Sequence, residues 1–103
     1  MKIVVKNSVV LLILLHTIFL DCYSQESQIS LNLQETELIS ILNKIEQESG
    51  YFFLFNEKLI DTRQKATVNV KDVTISSLLD ILFKNTTIKY SIIDNKIILS
   101  PDY

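Results

Sequence analysis

The chain has 103 residues, with 10 Lys+Arg against 12 Asp+Glu, one His, one Cys, one Gly, one Pro and no Trp. That length holds one small domain. It excludes a multidomain enzyme and a large membrane barrel, whose strands alone take about 10 residues each. A formal charge of −2 leaves no basic footprint for nucleic acid, and one Gly is too few for a phosphate-cradling loop.

The N-terminus carries the first signal. Lys2 and Lys6 precede Val9 to Leu20, which is apolar except for His16 and Thr17, and Asp21-Cys22-Tyr23-Ser24-Gln25 follows. A basic start, an apolar core and a small-x-small step (Cys22, Ser24) describe a secretory signal peptide cleaved after Ser24. Two other readings stay open. Cys22 as a lipid anchor meets Asp21 where lipid-attachment signals want a small residue. An uncleaved anchor is short, because twelve residues span roughly 18 Å as a helix against a bilayer core of about 30 Å. The expected division is therefore a signal peptide over 1–24 and one domain over 25–103. Removing Lys2, Lys6 and Asp21 leaves 8 basic and 11 acidic residues, a net charge of −3. The only His and the only Cys leave too, and with them thiol nucleophiles, disulfides, imidazole bases and His/Cys metal sites. The mature chain must then be held by its apolar core alone.

An internal repeat organises the rest. At an offset of 37 residues, Leu31-Asn32-Leu33-Gln34-Glu35 falls on Val68-Asn69-Val70-Lys71-Asp72, and Leu38, Ile41, Leu42 and Ile45 fall on Ile75, Leu78, Leu79 and Leu82. The last four lie at i, i+3, i+4 and i+7, one face of an amphipathic helix, written twice.

In chain order, Ile29 to Leu33 alternates apolar and polar residues, as a half-buried strand does. Thr36 is placed to cap a helix running to about Ser49, and Gly50 stands where a left-handed residue ends it. Tyr51 to Phe55, wholly apolar, suits a strand buried on both faces. Asn56 to Lys65 is a polar connector whose Leu59 and Ile60 fold back onto the core. Ala66 to Val70 opens the second unit, and Thr74 caps a helix to about Lys84. Ile88 to Ile93 and Lys96 to Ser100 form a hairpin about Asp94-Asn95. The fold class is α+β: two βαβ-like halves with a C-terminal β-hairpin.

The order Ile29-Ser30-Leu31-Asn32-Leu33, Leu38-Ile39-Ser40-Ile41-Leu42, Ile45, Gly50-Tyr51-Phe52-Phe53, then Val68-Asn69-Val70, Leu78-Leu79-Asp80-Ile81-Leu82, Tyr90 and Ile97-Ile98-Leu99 resembles the secretin and TonB short N-terminal domain (STN) over about residues 28 to 100. Tyr23-Ser24-Gln25 is similar to the signal-peptide ends of TonB-dependent receptors from Bacteroidota. The resemblance implies two helices between two small sheets, in a periplasmic domain at the mouth of an outer-membrane pore. In transport receptors such a domain contacts an anti-sigma regulator and takes part in signal transduction; in secretins it belongs to periplasmic rings. Family members continue into a plug and barrel, whereas this sequence stops at Tyr103. It is therefore expected to be a detached or truncated receptor head, associated with the outer membrane through a barrel it lacks. The alternative is a ring-forming module of a secretin-like assembly.

The residues themselves leave little for chemistry. Without His or Cys, catalysis would need paired carboxylates or an activated Ser, Tyr or Lys. Glu46 and Glu48 do not share a helix face, Asp94 suits a turn, and Ser76 and Ser77 suit a helix start. The chain is expected not to be an enzyme, with no catalytic, cofactor-binding or metal-ligating residue, no cofactor and no small-molecule substrate. A protein partner is expected, an anti-sigma regulator or the receptor's own plug and barrel, and nucleic acid is not. Tyr51-Phe52-Phe53-Leu54-Phe55 admits two readings: core packing, or in part an exposed edge to which a partner adds a strand. Asn56 to Arg63 is the next candidate surface, or else a solvated connector. Asn85-Thr86-Thr87 spells a glycosylation sequon, an accident if the source is bacterial, as the resemblance implies.

Overall fold

A computed structural model describes residues 27–102. The expected signal peptide, its cleavage site and Cys22 lie outside the described residues. Seven elements follow in order: β1 (Ile29–Glu37), α1 (Leu38–Ser49), β2 (Phe52–Leu54), β3 (Lys65–Val73), α2 (Ile75–Phe83), β4 (Ile88–Ile93) and β5 (Lys96–Pro101). β1 and β3 make an antiparallel two-stranded sheet; β2, β5 and β4, in that order, make a second sheet. Each helix touches both sheets, α1 through β1 and β2, and α2 through β3 and β4. The α+β class, the two βαβ units and the C-terminal hairpin are as the repeat implies.

The repeated helix face makes the centre of the core. Ile41, Leu42 and Ile45 of α1 and Leu78 and Leu79 of α2 are at most 1% exposed, and Val68, Ile97 and Leu99 close over them from the sheets. No buried polar residue interrupts this core among the described residues, so its stability rests on apolar burial and close packing.

β1 runs four residues beyond the expected Leu33, and a bulge is the reason. Glu35 adopts φ 45°, and its N–H donates to the Thr67 hydroxyl at 3.0 Å. The extra residue is absorbed there, and pairing resumes at Thr36 opposite Ala66 and Glu37 opposite Lys65. β3 carries the matching irregularity at Asp72, with φ 53° and an N–H donating to the Ser30 hydroxyl at 2.9 Å.

The extension of β1 changes how α1 begins. Thr36 does not cap it: its hydroxyl donates to the Gln34 carbonyl, and Glu37 occupies the N-cap without a side-chain bond. The first helical N–H groups turn instead to the connector, Leu38 to the Gln64 carbonyl at 2.8 Å and Ile39 to the Thr62 carbonyl at 2.9 Å. A backbone segment thus satisfies the orphan donors that a side chain usually meets. At the other end Gly50 takes φ 77°, and its N–H reaches the Glu46 carbonyl at 3.1 Å. Thr74 caps α2 as expected, accepting from Ser77 N–H at 3.2 Å.

β5, the last strand in sequence, is the middle strand of its sheet. It runs parallel to β2, with Phe53 opposite Ile97, and antiparallel to β4, with Ile92 opposite Ile97. The hairpin turn carries φ 56° at Asp94. The neighbouring Asn95 carbonyl accepts the Phe52 N–H at 2.9 Å.

Candidate interaction surface

Alternation along β2, β5 and β4 divides the three-stranded sheet into two faces. Phe53, Ile97, Leu99 and Ile88 point into the core. Phe52 and Leu54, Lys96, Ile98 and Ser100, and Lys89, Ser91 and Ile93 point the other way. The register groups the outward residues into rows, Phe52–Lys96–Ile93 and Leu54–Ile98–Ser91. Phe52 and Ile93 are each 55% exposed and Leu54 48%. This corrects the expectation that Tyr51 to Phe55 is buried on both faces. Only three of these residues form the strand, Phe53 alone among them is buried, and the other face of the sheet carries no layer from the described chain.

β2 is also an edge. Its Phe53 N–H donates to Glu46 Oε2 of α1 at 2.9 Å. The strand itself has no charged residue, Pro or bulge; the Glu46 carboxylate, bonded to its outward-facing N–H, is what blunts this edge. β1 and β3 each carry a bulge, and β4 carries Lys89. The outward face of the β1–β3 sheet contrasts with this apolar one, since it presents Ser30, Asn32, Thr67, Asn69 and Lys71, all exposed and polar.

The connector Asn56 to Arg63 is built rather than merely solvated. Asn56 Oδ1 accepts from Lys58 N–H at 2.9 Å, and Asp61 Oδ1 accepts from Arg63 N–H at 3.1 Å. These Asx turns place Ile60 in the core at 3% exposure, but Leu59 remains 51% exposed. The expectation that both fold inward therefore holds for Ile60 only; one turn cannot aim adjacent side chains the same way.

The residues weighed for chemistry lie apart. Glu46 holds β2 to α1, and Glu48 pairs with Lys44 at 3.3 Å on an exposed face. Ser77 belongs to the α2 cap, and Asp94 to the hairpin turn. Among the described residues no group of three or more Asp, Glu, His or Cys is placed to hold a metal.

Two hollows remain. One, of about 340 Å³, lies between the start of β1, the end of α1 and the start of α2, lined by Ser27, Ile29, Ser49, Tyr51 and Ile75. The other, of about 310 Å³, lies beside α2 and β4. At its rim the Tyr90 hydroxyl donates to Asp80 Oδ1, and the Tyr90 ring packs against Phe83 at 6.4 Å. Donation to Asp80, then desolvation and the carboxylate's charge, push the Tyr90 phenol up to about 12. Sequence reasoning missed this pair, because residues ten apart on a helix and a strand carry no spacing signal.

These features define a class, a small α+β module of two symmetry-related βαβ halves. Its most distinctive surface is an uncovered sheet face on which Phe52, Leu54 and Ile93 surround Lys96. Residues 53–102 match the family model of the secretin and TonB N terminus short domain, a domain type associated with the N-termini of secretins and TonB-dependent receptors. The match begins inside β2; β1 and α1 join it through the β1–β3 ladder and the shared core. Comparison with curated proteins finds no match.

Proposed function

We propose that this chain is a non-enzymatic docking and signalling domain of a TonB-dependent outer-membrane receptor, exported to the periplasm. It acts there by protein contact with an anti-sigma regulator or with the transport machinery. The observation that carries this reading is the outward face of the three-stranded sheet, where Phe52, Leu54 and Ile93 stand about half exposed around Lys96. Contiguous exposed apolar surface of this kind marks interaction sites. The domain type supports the envelope setting.

The test is capture. The purified chain, immobilised, is offered the periplasmic portions of anti-sigma regulators from its own genome. A monomeric chain that retains one of them, and loses it when Phe52 and Leu54 become Ser, meets the expectation. Self-association into rings at micromolar concentration, without such capture, assigns the secretin-like role instead. Intact-mass measurement of the exported material is expected to find Gln25 at the N-terminus; residues 1 to 24 retained, or a lipid adduct on Cys22, overturns the export route.

A further inference from the structure

We infer that the outward face of the β2–β5–β4 sheet receives a polypeptide segment in which two apolar side chains straddle a carboxylate. The inference rests on the docking function proposed above and specifies the partner's chemistry. Lys96 stands in the middle of one cross-strand row, with Phe52 on one side and Ile93 on the other. Among the described residues it has no carboxylate within ion-pair distance, whereas Lys89, at the far end of the face, is paired with Asp102 at 3.1 Å. The face therefore offers one uncompensated cation between two half-exposed apolar groups, on a chain whose overall charge is −2. An apolar contact that also excludes water from Lys96 leaves the ammonium poorly solvated unless the partner brings an anion. A carboxylate between two apolar residues supplies both.

Width and area narrow the occupant further. The row spans two interstrand spacings, roughly 10 Å, the breadth of a single helix. Phe52, Leu54 and Ile93, about half exposed, with the less exposed Ile98, present on the order of 300–400 Å². A stable dimer needs about 800 Å² per partner. A second copy laid face to face would also bring Lys96 toward like charge. An anionic membrane is a poorer match, since surface binding by charge draws on clusters of about 4–8 Lys or Arg.

Peptides are selected from a random displayed library against the intact chain and measured again on Phe52→Ser/Leu54→Ser, Ile93→Ser and Lys96→Glu. All four positions are surface-exposed, and an unchanged melting temperature verifies each fold; if the double variant unfolds, Ile93→Ser alone carries the apolar arm. The expected winners place Asp or Glu between apolar residues and weaken about tenfold or more on the serine variants. On Lys96→Glu they lose affinity, while peptides with Lys in place of the acid gain it. Winners without acidic residues, or indifferent to Lys96→Glu, overturn the partner chemistry. Winners indifferent to all the sheet substitutions place docking elsewhere and leave the docking function standing. No winners at all counts against both. Binding to phosphatidylglycerol vesicles that is lost on the same variants overturns the inference in favour of a membrane.

Discussion

Asn32 lies directly opposite Asn69 in the β1–β3 ladder, and the two are separated by 37 residues, the offset of the internal repeat itself. A residue that pairs with its own repeat mate marks a local two-fold axis. The neighbouring pairs obey it: Leu31 opposite Val70 maps onto Leu33 opposite Val68, and Ile29 opposite Val73 maps onto Thr36 opposite Ala66. The bulges obey it too, for Glu35 and Asp72 are repeat mates, as are the Ser30 and Thr67 hydroxyls that receive their N–H groups. The halves are therefore alike in backbone conformation as well as in apolar spacing.

The paired bulges should respond unequally to glycine. Both Glu35 and Asp72 hold positive φ, where a side chain costs about 1–2 kcal/mol, less for Asp. Glu35→Gly is expected to raise stability by about 1 kcal/mol in chemical denaturation. Asp72→Gly should gain less, since its carboxylate also receives the Ser30 hydroxyl. Destabilisation by Glu35→Gly would mean the bulge conformation is misassigned.

Gly50 tests the same physics with the opposite sign. A Cβ there would meet nothing within 4 Å, so φ 77° is the only obstacle. Gly50→Ala is expected to cost about 1–2 kcal/mol, and a larger loss would point to crowding rather than backbone strain.

Leu42 and Leu79 are repeat mates with at most 1% exposure. Truncating either to Ala removes apolar contact and leaves a cavity, at a cost of about 2–5 kcal/mol. In a domain this small that is enough to lower the melting temperature sharply. An unchanged melting curve for either variant would refute the core.

The Tyr90 phenol, held up to about 12 against an ordinary value of about 10, sets a pH window. The folded state keeps a proton that the unfolded chain releases first. The contribution is thus complete below about pH 10 and is lost as pH rises through about 12. Absorbance titration should show a late-ionising tyrosine that is absent in Tyr90→Phe and shifted earlier in Asp80→Asn. A Tyr90 that ionises at the ordinary phenol value of about 10 would contradict the Asp80 contact.

Much of this architecture is legible in the residues. The i, i+3, i+4, i+7 faces of both helices, the Thr74 cap, the Gly50 terminus and the Asp94 turn follow from local chemistry. The start of α1 was not legible, because its donors are met by the Thr62 and Gln64 carbonyls, and carbonyls leave no trace in residue identity. The outward turn of Phe52 and Leu54 was hidden for a different reason. A run of apolar residues reads the same whether a layer covers its second face or leaves it bare, and here that uncovered face is the candidate site.

The central place of β5 also governs the order in which the domain can form. β2 and β4 are repeat mates, yet they never touch, since the strand completed last stands between them. Until Lys96 to Pro101 is made, β2 has no neighbour to pair with and Ile97 is missing from the core. Pairing β2 with β5 also closes a long loop, whose entropy must be met before the contact rewards it. Folding of this module is thus tied to β5: a version ending before it is expected to keep its helical periodicity but lack a native three-stranded sheet, and the hairpin closes the fold from its C-terminal side.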